Sequence, residues 1–81
     1  MNVVVRCFAR ARELAGAAAV TVTLADGATV GDLRRCLAVG HPALAVLLER
    51  SALAVNDEFA DDFQVLSPDA EVALLPPVSG G

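Results

Sequence analysis

The chain has 81 residues, a hydrophobic share of 56% and a net charge of −4, which fits one small domain and disfavours binding to nucleic acid or an anionic membrane. A domain of this size buries only about 60–65% of its unfolded surface. So high an apolar content then exceeds what the core can hide and implies an exposed patch for a partner.

Val3-Val4-Val5 with Cys7-Phe8 reads as a strand. Apolar side chains stand on both parities, as expected for an interior strand. Ala9 to Gly16 reads as a short helical turn stopped by Gly16. Val20, Val22 and Leu24 alternate with Thr21 and Thr23, which predicts a half-buried strand, and Asp26-Gly27 is a turn signal. Thr29 is placed to cap a helix, with Asp32 three residues on as a weaker form of the capping box. Val30, Leu33, Cys36 and Leu37 fall on one helical face, and Arg34 and Arg35 are expected on the solvated face. Gly40-His41-Pro42 ends that helix; Pro42 opens another, whose apolar face is Leu44, Leu47 and Leu48. Leu53 and Val55 form a third short strand ended by Asn56-Asp57. Phe59, Phe63, Val65 and Leu66 read as a loosely structured return, and Ser67-Pro68-Asp69-Ala70 as a turn. Val72 to Leu75 is the final strand, again apolar on both parities.

The order implies an α+β fold, a sheet with a helical layer on one face. The first and last strands both read as interior and belong side by side in the middle. Residues 1–75 form the domain and residues 76–81 a tail, Pro76-Pro77-Val78-Ser79-Gly80-Gly81. At ~3.3–3.6 Å per residue the tail can reach about 20 Å. A terminal glycine has no Cβ, so its carboxylate can enter a narrow slot. Two terminal glycines arise by chance in roughly 0.5% of chains, and glycine-rich frayed ends are ordinary. Placed after a Pro-Pro step at the end of a strand, the pair points to the terminal carboxylate as the reactive group.

The remaining constellations are weak. Cys7 and Cys36 sit in apolar patterns outside any Cys-x-x-Cys or Cys/His set; both are expected to be buried reduced thiols in a cytoplasmic protein. His41 is the sole histidine and lacks the partners of a triad or a metal site, so no metal is expected. Asp57-Glu58 and Asp61-Asp62 read as solvated turn residues first and an acidic docking patch second. Arg10 and Arg12 are open to pairing with Glu13 or to partner contact. No glycine-rich phosphate loop is present, so ATP would be bound by another protein. No signal peptide and no span of ~20 uncharged apolar residues is seen.

The run Phe8-Ala9-Arg10-Ala11-Arg12-Glu13-Leu14-Ala15-Gly16, the block Ala54-Val55-Asn56-Asp57-Glu58-Phe59-Ala60 and the ending Glu71 to Gly81 together resemble the small-subunit (MoaD) family of molybdopterin synthase. The resemblance implies a ubiquitin-like β-grasp with helices on one face and an extended tail. It also implies a non-catalytic sulfur carrier of molybdenum cofactor biosynthesis. Gly81 would be adenylated, then converted to a thiocarboxylate that helps turn cyclic pyranopterin monophosphate into molybdopterin; Gly80 would let the backbone pass a constriction. The implied partners are a large synthase subunit (MoaE-like) and an adenylating enzyme (MoeB-like) that uses ATP. No cofactor is expected on the chain itself. Two departures stand out. Pro68-Asp69-Ala70-Glu71-Val72 replaces the family's usual Asp-Gly-Asp-Glu-Val, and Leu74-Leu75 stands where aromatics are frequent. A related carrier for thiamin, cysteine or tRNA thiolation, or a protein modifier, is the alternative. All six basic residues are Arg, so an isopeptide bond would need a partner's lysine.

Parity then proposes a partner face. Val3, Val5, Cys7, Val72 and Leu74 are assigned inward, and Val4, Phe8, Ala73 and Leu75 outward. The expected partner-binding residues are Phe8, Arg12, Leu75, Pro76, Pro77, Val78 and Ser79.

Overall fold

Burial alternates strictly along the first strand, and that alternation orients the whole molecule. The computed structural model describes residues 1–77. In β1 (Asn2–Cys7), Val3, Val5 and Cys7 are buried while Val4 and Arg6 are exposed. In β5 (Glu71–Leu75), Val72 and Leu74 are buried and Ala73 and Leu75 lie between buried and exposed. These inward sets meet α1 (Ala9–Ala15), α2 (Val30–Gly40), a 3₁₀ turn (Pro42–Leu44) and α3 (Ala45–Arg50). The other strands are β2 (Ala19–Thr23), β3 (Ala52–Val55) and β4 (Glu58–Ala60). Strand order is β2-β1-β5-β3-β4. β1 and β5 are parallel; every other neighbouring pair is antiparallel. A parallel pair needs a long crossover, and here the crossover carries α2 and α3 and so delivers the helical layer. This is the α+β arrangement of a ubiquitin-like β-grasp.

Leucine and valine fill the space between the layers. Leu33, Leu37, Leu44, Leu48, Leu53, Leu74, Val3, Val5, Val30 and Val72 are all essentially fully buried. Each such burial contributes about 1.5–3 kcal/mol.

Local signals set the element ends. Gly16 takes φ +73° and closes α1, its N–H donating to the Arg12 carbonyl at 3.0 Å. The α2 N-terminus has a complete capping box: Asp32 N–H to Thr29 Oγ1 at 3.2 Å and Thr29 N–H to Asp32 Oδ2 at 2.9 Å. The next free donors, Val30 N–H and Gly31 N–H, reach the carbonyls of Gln64 and Asp62, each at 2.9 Å. A Cβ on Gly31 would come within 3.1 Å of that Asp62 oxygen, so the close approach favours glycine here.

Four expectations are corrected. Cys36 is exposed, not buried. At about 100° per residue, Val30, Leu33 and Leu37 fall within an arc of about 60°, and Cys36 stands about 60° beyond its edge. Arg34 does not point away. Its guanidinium donates to the carbonyls of Leu48 and Ser51, the latter at 2.9 Å, and pairs with Asp62 Oδ1 at 3.1 Å. It satisfies carbonyls left free where α3 ends. The return after Asp57 contains a strand, β4, paired with β3. Asn56 and Asp57 take φ +51° and +68°, the two-residue left-handed geometry of a tight hairpin. Finally, Phe8 is not part of β1; it is extended (φ −120°, ψ 154°) at the N-cap of α1.

Candidate functional site

The sheet face away from the helices is open. Its side chains follow from the register. Ala19 pairs with Arg6, Arg6 with Ala73, Ala73 with Ala54, and Ala54 with Phe59. That chain of pairs crosses all five strands in one row. Small residues in the centre leave a shallow floor, and Phe59, 79% exposed, stands at one end as a wall. The next row holds Leu75 opposite Ala52. Phe8, 45% exposed, follows Cys7, whose parallel partner is Leu74, so Phe8 and Leu75 are successive extensions of one paired level. None of the three phenylalanines is buried, Phe63 being 89% exposed. Exposed aromatics of this kind are characteristic of interfaces.

The way the chain leaves β1 fixes Phe8. Ala9 takes φ +50°, a left-handed conformation costly for a residue with a Cβ. Ala11 N–H then donates to the Phe8 carbonyl at 3.0 Å. Phe8 is thereby held at the junction of strand and helix.

Proline fixes the exit from the sheet. The last β3–β5 pair is Ala52 with Leu75. Pro76 has no N–H and cannot extend the ladder, so the strand ends there. Pro76 and Pro77 border a groove lined by Ala9, Arg10, Glu13, Leu47 and Arg50. Arg10 Nη1 and Glu13 Oε2 are 2.9 Å apart across its rim. A second cleft beside it is lined by Arg6, Phe8 and Arg12 among others. Arg10 and Arg50 therefore line the groove at the tail root, and Arg6 and Arg12 the neighbouring cleft, in a chain that is acidic overall.

Of the residues expected at the site, Phe8, Arg12, Leu75, Pro76 and Pro77 lie at this one end. Val78, Ser79, Gly80 and Gly81 lie outside the described residues. The sequence reading missed Phe59, because a three-residue strand shows no period; the signal was the left-handed Asn56-Asp57 pair, which folds the chain straight back onto β3. It also left out Arg6 and Arg50; Arg10, open to pairing with Glu13 or to a partner, does pair with Glu13. Burial pushes the Cys7 thiol above its usual range, which keeps it protonated and unreactive. Among the described residues no cluster of His, Cys, Asp and Glu could hold a metal ion, and no helix is long and apolar enough to cross a membrane.

The ThiS family matches residues 5–81. A "Molybdopterin synthase sulfur carrier subunit" of Chlamydomonas reinhardtii is 39% identical over 83 residues, covering 100% of both chains. The crystal structure of SAMP1 from Haloferax volcanii superposes with a TM-score of 0.88 at 32% identity, covering 100% of each chain. A protein–protein complex of subunits 1 and 2 of the molybdopterin-converting factor from Helicobacter pylori 26695 contains a chain that matches with a TM-score of 0.71 at 29% identity, again over 100% of both.

Proposed function

We propose a function from one premise: the chain belongs to the ThiS family. It is a sulfur carrier for molybdopterin synthesis, and its chemistry resides in the Gly81 carboxylate. The observation that carries this reading is the family match, which spans residues 5–81 and so includes Gly81. The relative named a molybdopterin synthase sulfur carrier subunit covers the same length.

The chemistry needs little from the fold. A free carboxylate is a poor electrophile. Attack on the α-phosphate of ATP releases pyrophosphate and leaves an acyl adenylate, which has a good leaving group. A sulfide-equivalent nucleophile then displaces AMP and leaves the thiocarboxylate. Transfer of that sulfur to cyclic pyranopterin monophosphate, with water or the displaced substrate oxygen taking its place on the acyl carbon, restores the carboxylate. ATP and the substrate are bound by the partners, an adenylating enzyme of the MoeB type and a large synthase subunit of the MoaE type; the chain carries no cofactor of its own. The two-subunit complex of a structural relative supports the second partner. Docking makes sulfur delivery effectively intramolecular. The face bearing Phe8, Leu75 and Phe59 is the docking surface, with Arg12, Pro76, Pro77, Val78 and Ser79 as further partner contacts and Gly80, which has no Cβ, suited to a narrow slot. The free thiols of Cys7 and Cys36 fit the reducing cytoplasm.

Incubation with ATP, the adenylating enzyme and a sulfur donor should raise the mass by about 16 Da, one oxygen replaced by sulfur, the end product of the displacement chemistry. Deletion of Gly81 should abolish the gain and leave the fold intact. An unchanged mass, under conditions that activate a control carrier, refutes the reading.

The likeness to SAMP1, a small archaeal modifier protein, favours a second reading, in which the same activated carboxylate is captured by a lysine of a target protein. The chain has no lysine, so it would form no chains on itself. A conjugate linking Gly81 to a target lysine would establish this role.

A further inference from the structure

The two edges of the sheet are built differently. β4 is three residues long, contains Glu58, and is flanked by Asp57 on one side and Asp61-Asp62 on the other. Shortness and charge both discourage strand addition. β2 is five residues, Ala-Val-Thr-Val-Thr. From Ala17 to Ala25 there is no charged residue, no proline and no glycine. This is an unprotected edge of the kind natural sheets otherwise avoid.

The register shows which backbone groups lie along that edge. Cys7 N–H donates to the Ala18 carbonyl and Leu24 N–H to the Met1 carbonyl, each at 2.8 Å. The even-numbered residues of β2 therefore bond to β1. Antiparallel alternation turns the N–H and C=O groups of Ala19, Thr21 and Thr23 outward. No strand among the described residues pairs with that side. Beside the edge, a groove between β2 and α2 is lined by Thr21, Val22, Thr23, Cys36, Val39 and His41. Val39 is 82% exposed, an apolar side chain standing in solvent next to an unpaired strand. The nearest charges on α2, Arg35 and Asp32, already pair with each other.

We propose that the β2 edge pairs with the same edge of a second copy of this chain, antiparallel about a two-fold axis through Thr21. Such an interface is self-complementary. Thr21 lies opposite Thr21 of the second copy, and Ala19 opposite Thr23, so every outward group of the edge gains a partner, about six hydrogen bonds by the pairing rule. Threonine opposite threonine is a favourable cross-strand pair. Val22 and Val39 would lose their solvent exposure against the second copy's inner face. An uncharged edge avoids the repulsion that two chains of net charge −4 would meet elsewhere. The edge is separated from β5 by β1, so the dimer keeps the tail root available. Buried area would fall below the roughly 800 Å² per partner of a standard interface, which makes the dimer weak and concentration-dependent.

Sedimentation equilibrium of the full chain under reducing conditions, from about 10 μM to about 1 mM, tests it. A Cys36→Ser control excludes a disulfide dimer. The expected result is a monomer–dimer equilibrium weakened at least tenfold by Thr21→Lys and by Val39→Asp, two folded variants changed on opposite sides of the groove. Amide exchange at Ala19, Thr21 and Thr23 should slow as concentration rises. A monomer across the range, a dimer indifferent to both variants, or protection of those amides only when another protein is added would each overturn the proposal.

Discussion

Phe59 lies directly across from Ala54, and Ala54 directly across from Ala73. Ala54 is almost fully buried although it faces away from the helices. A large ring at the sheet edge beside a small residue in the middle makes a step, and a step is what a partner's side chain can dock against. Phe8 makes the corresponding rise near the tail root. Replacing Phe8 or Phe59 by Asp should weaken binding of the large synthase-type subunit at least tenfold. Both rings are already exposed, so thermal melting should shift by no more than a few degrees. Calorimetry of the complex, with circular dichroism of the free chain, checks both halves. Binding as tight as wild type in both variants would place the interface elsewhere.

Arg34 ties three segments together: α2, the end of α3, and the loop holding Asp62. Its side chain is only 22% exposed. Hydrogen bonds to a charged group contribute about 1.5–3 kcal/mol, and the partly screened Asp62 pair adds little. Arg34→Met should therefore cost about 2 kcal/mol in urea unfolding. Arg35→Met, on the exposed side of the same helix, should stay within about 0.5 kcal/mol of wild type.

Asp32 links stability to acid. The Thr29 backbone N–H, and then the Thr29 hydroxyl, hold its carboxyl below the ordinary carboxylate value, with Arg35 adding a smaller push in the same direction. A group whose folded pKa is depressed stabilises above its unfolded pKa and loses that contribution as pH falls through the folded value. The stability advantage of wild type over Asp32→Asn should be complete at neutral pH and shrink as pH drops below about 4, the ordinary aspartate range. Urea midpoints measured for both proteins from neutral pH to strong acid report this. A gap that stays constant with pH would mean that the carboxylate charge is irrelevant to the cap.

Asp57 takes φ +68° at the second position of the β3–β4 turn. Glycine adopts that conformation without a Cβ penalty and is the favoured residue after Asn in such a turn. Relief of the left-handed penalty, about 1–2 kcal/mol, outweighs the roughly 0.5–1 kcal/mol that glycine's extra freedom in the unfolded chain costs, so Asp57→Gly should stabilise the protein by about 0.5 kcal/mol. Destabilisation would show that the Asp57 carboxylate does more than mark a turn.

Much of this molecule was written locally. Alternation in Val3-Val4-Val5 and Val72 to Leu75 set which side chains point inward, because successive Cβ atoms on a strand face opposite ways. Thr29 with Asp32, Gly16, and Pro76-Pro77 marked where helices begin and strands stop, because each acts on the backbone groups beside it. The same parity put Leu75 on the face away from the helices, whereas Phe8, outside β1, is placed by the turn at Ala9. The tertiary structure alone decided the rest. The helical wheel already sets Cys36 outside the buried arc, but what Arg34 reaches, the carbonyls where α3 ends, depends on how α3 packs against α2. β4 exists because the hairpin turn lays Glu58–Ala60 against β3, and that pairing brings Phe59 to the open face. The lack of charge and proline in β2 is legible in its residues, but that β2 is an edge follows from the strand order, which those residues do not encode. Periodicity and capping are short-range steric and hydrogen-bonding rules, legible in a few consecutive residues; exposure depends on what packs over a residue from far along the chain.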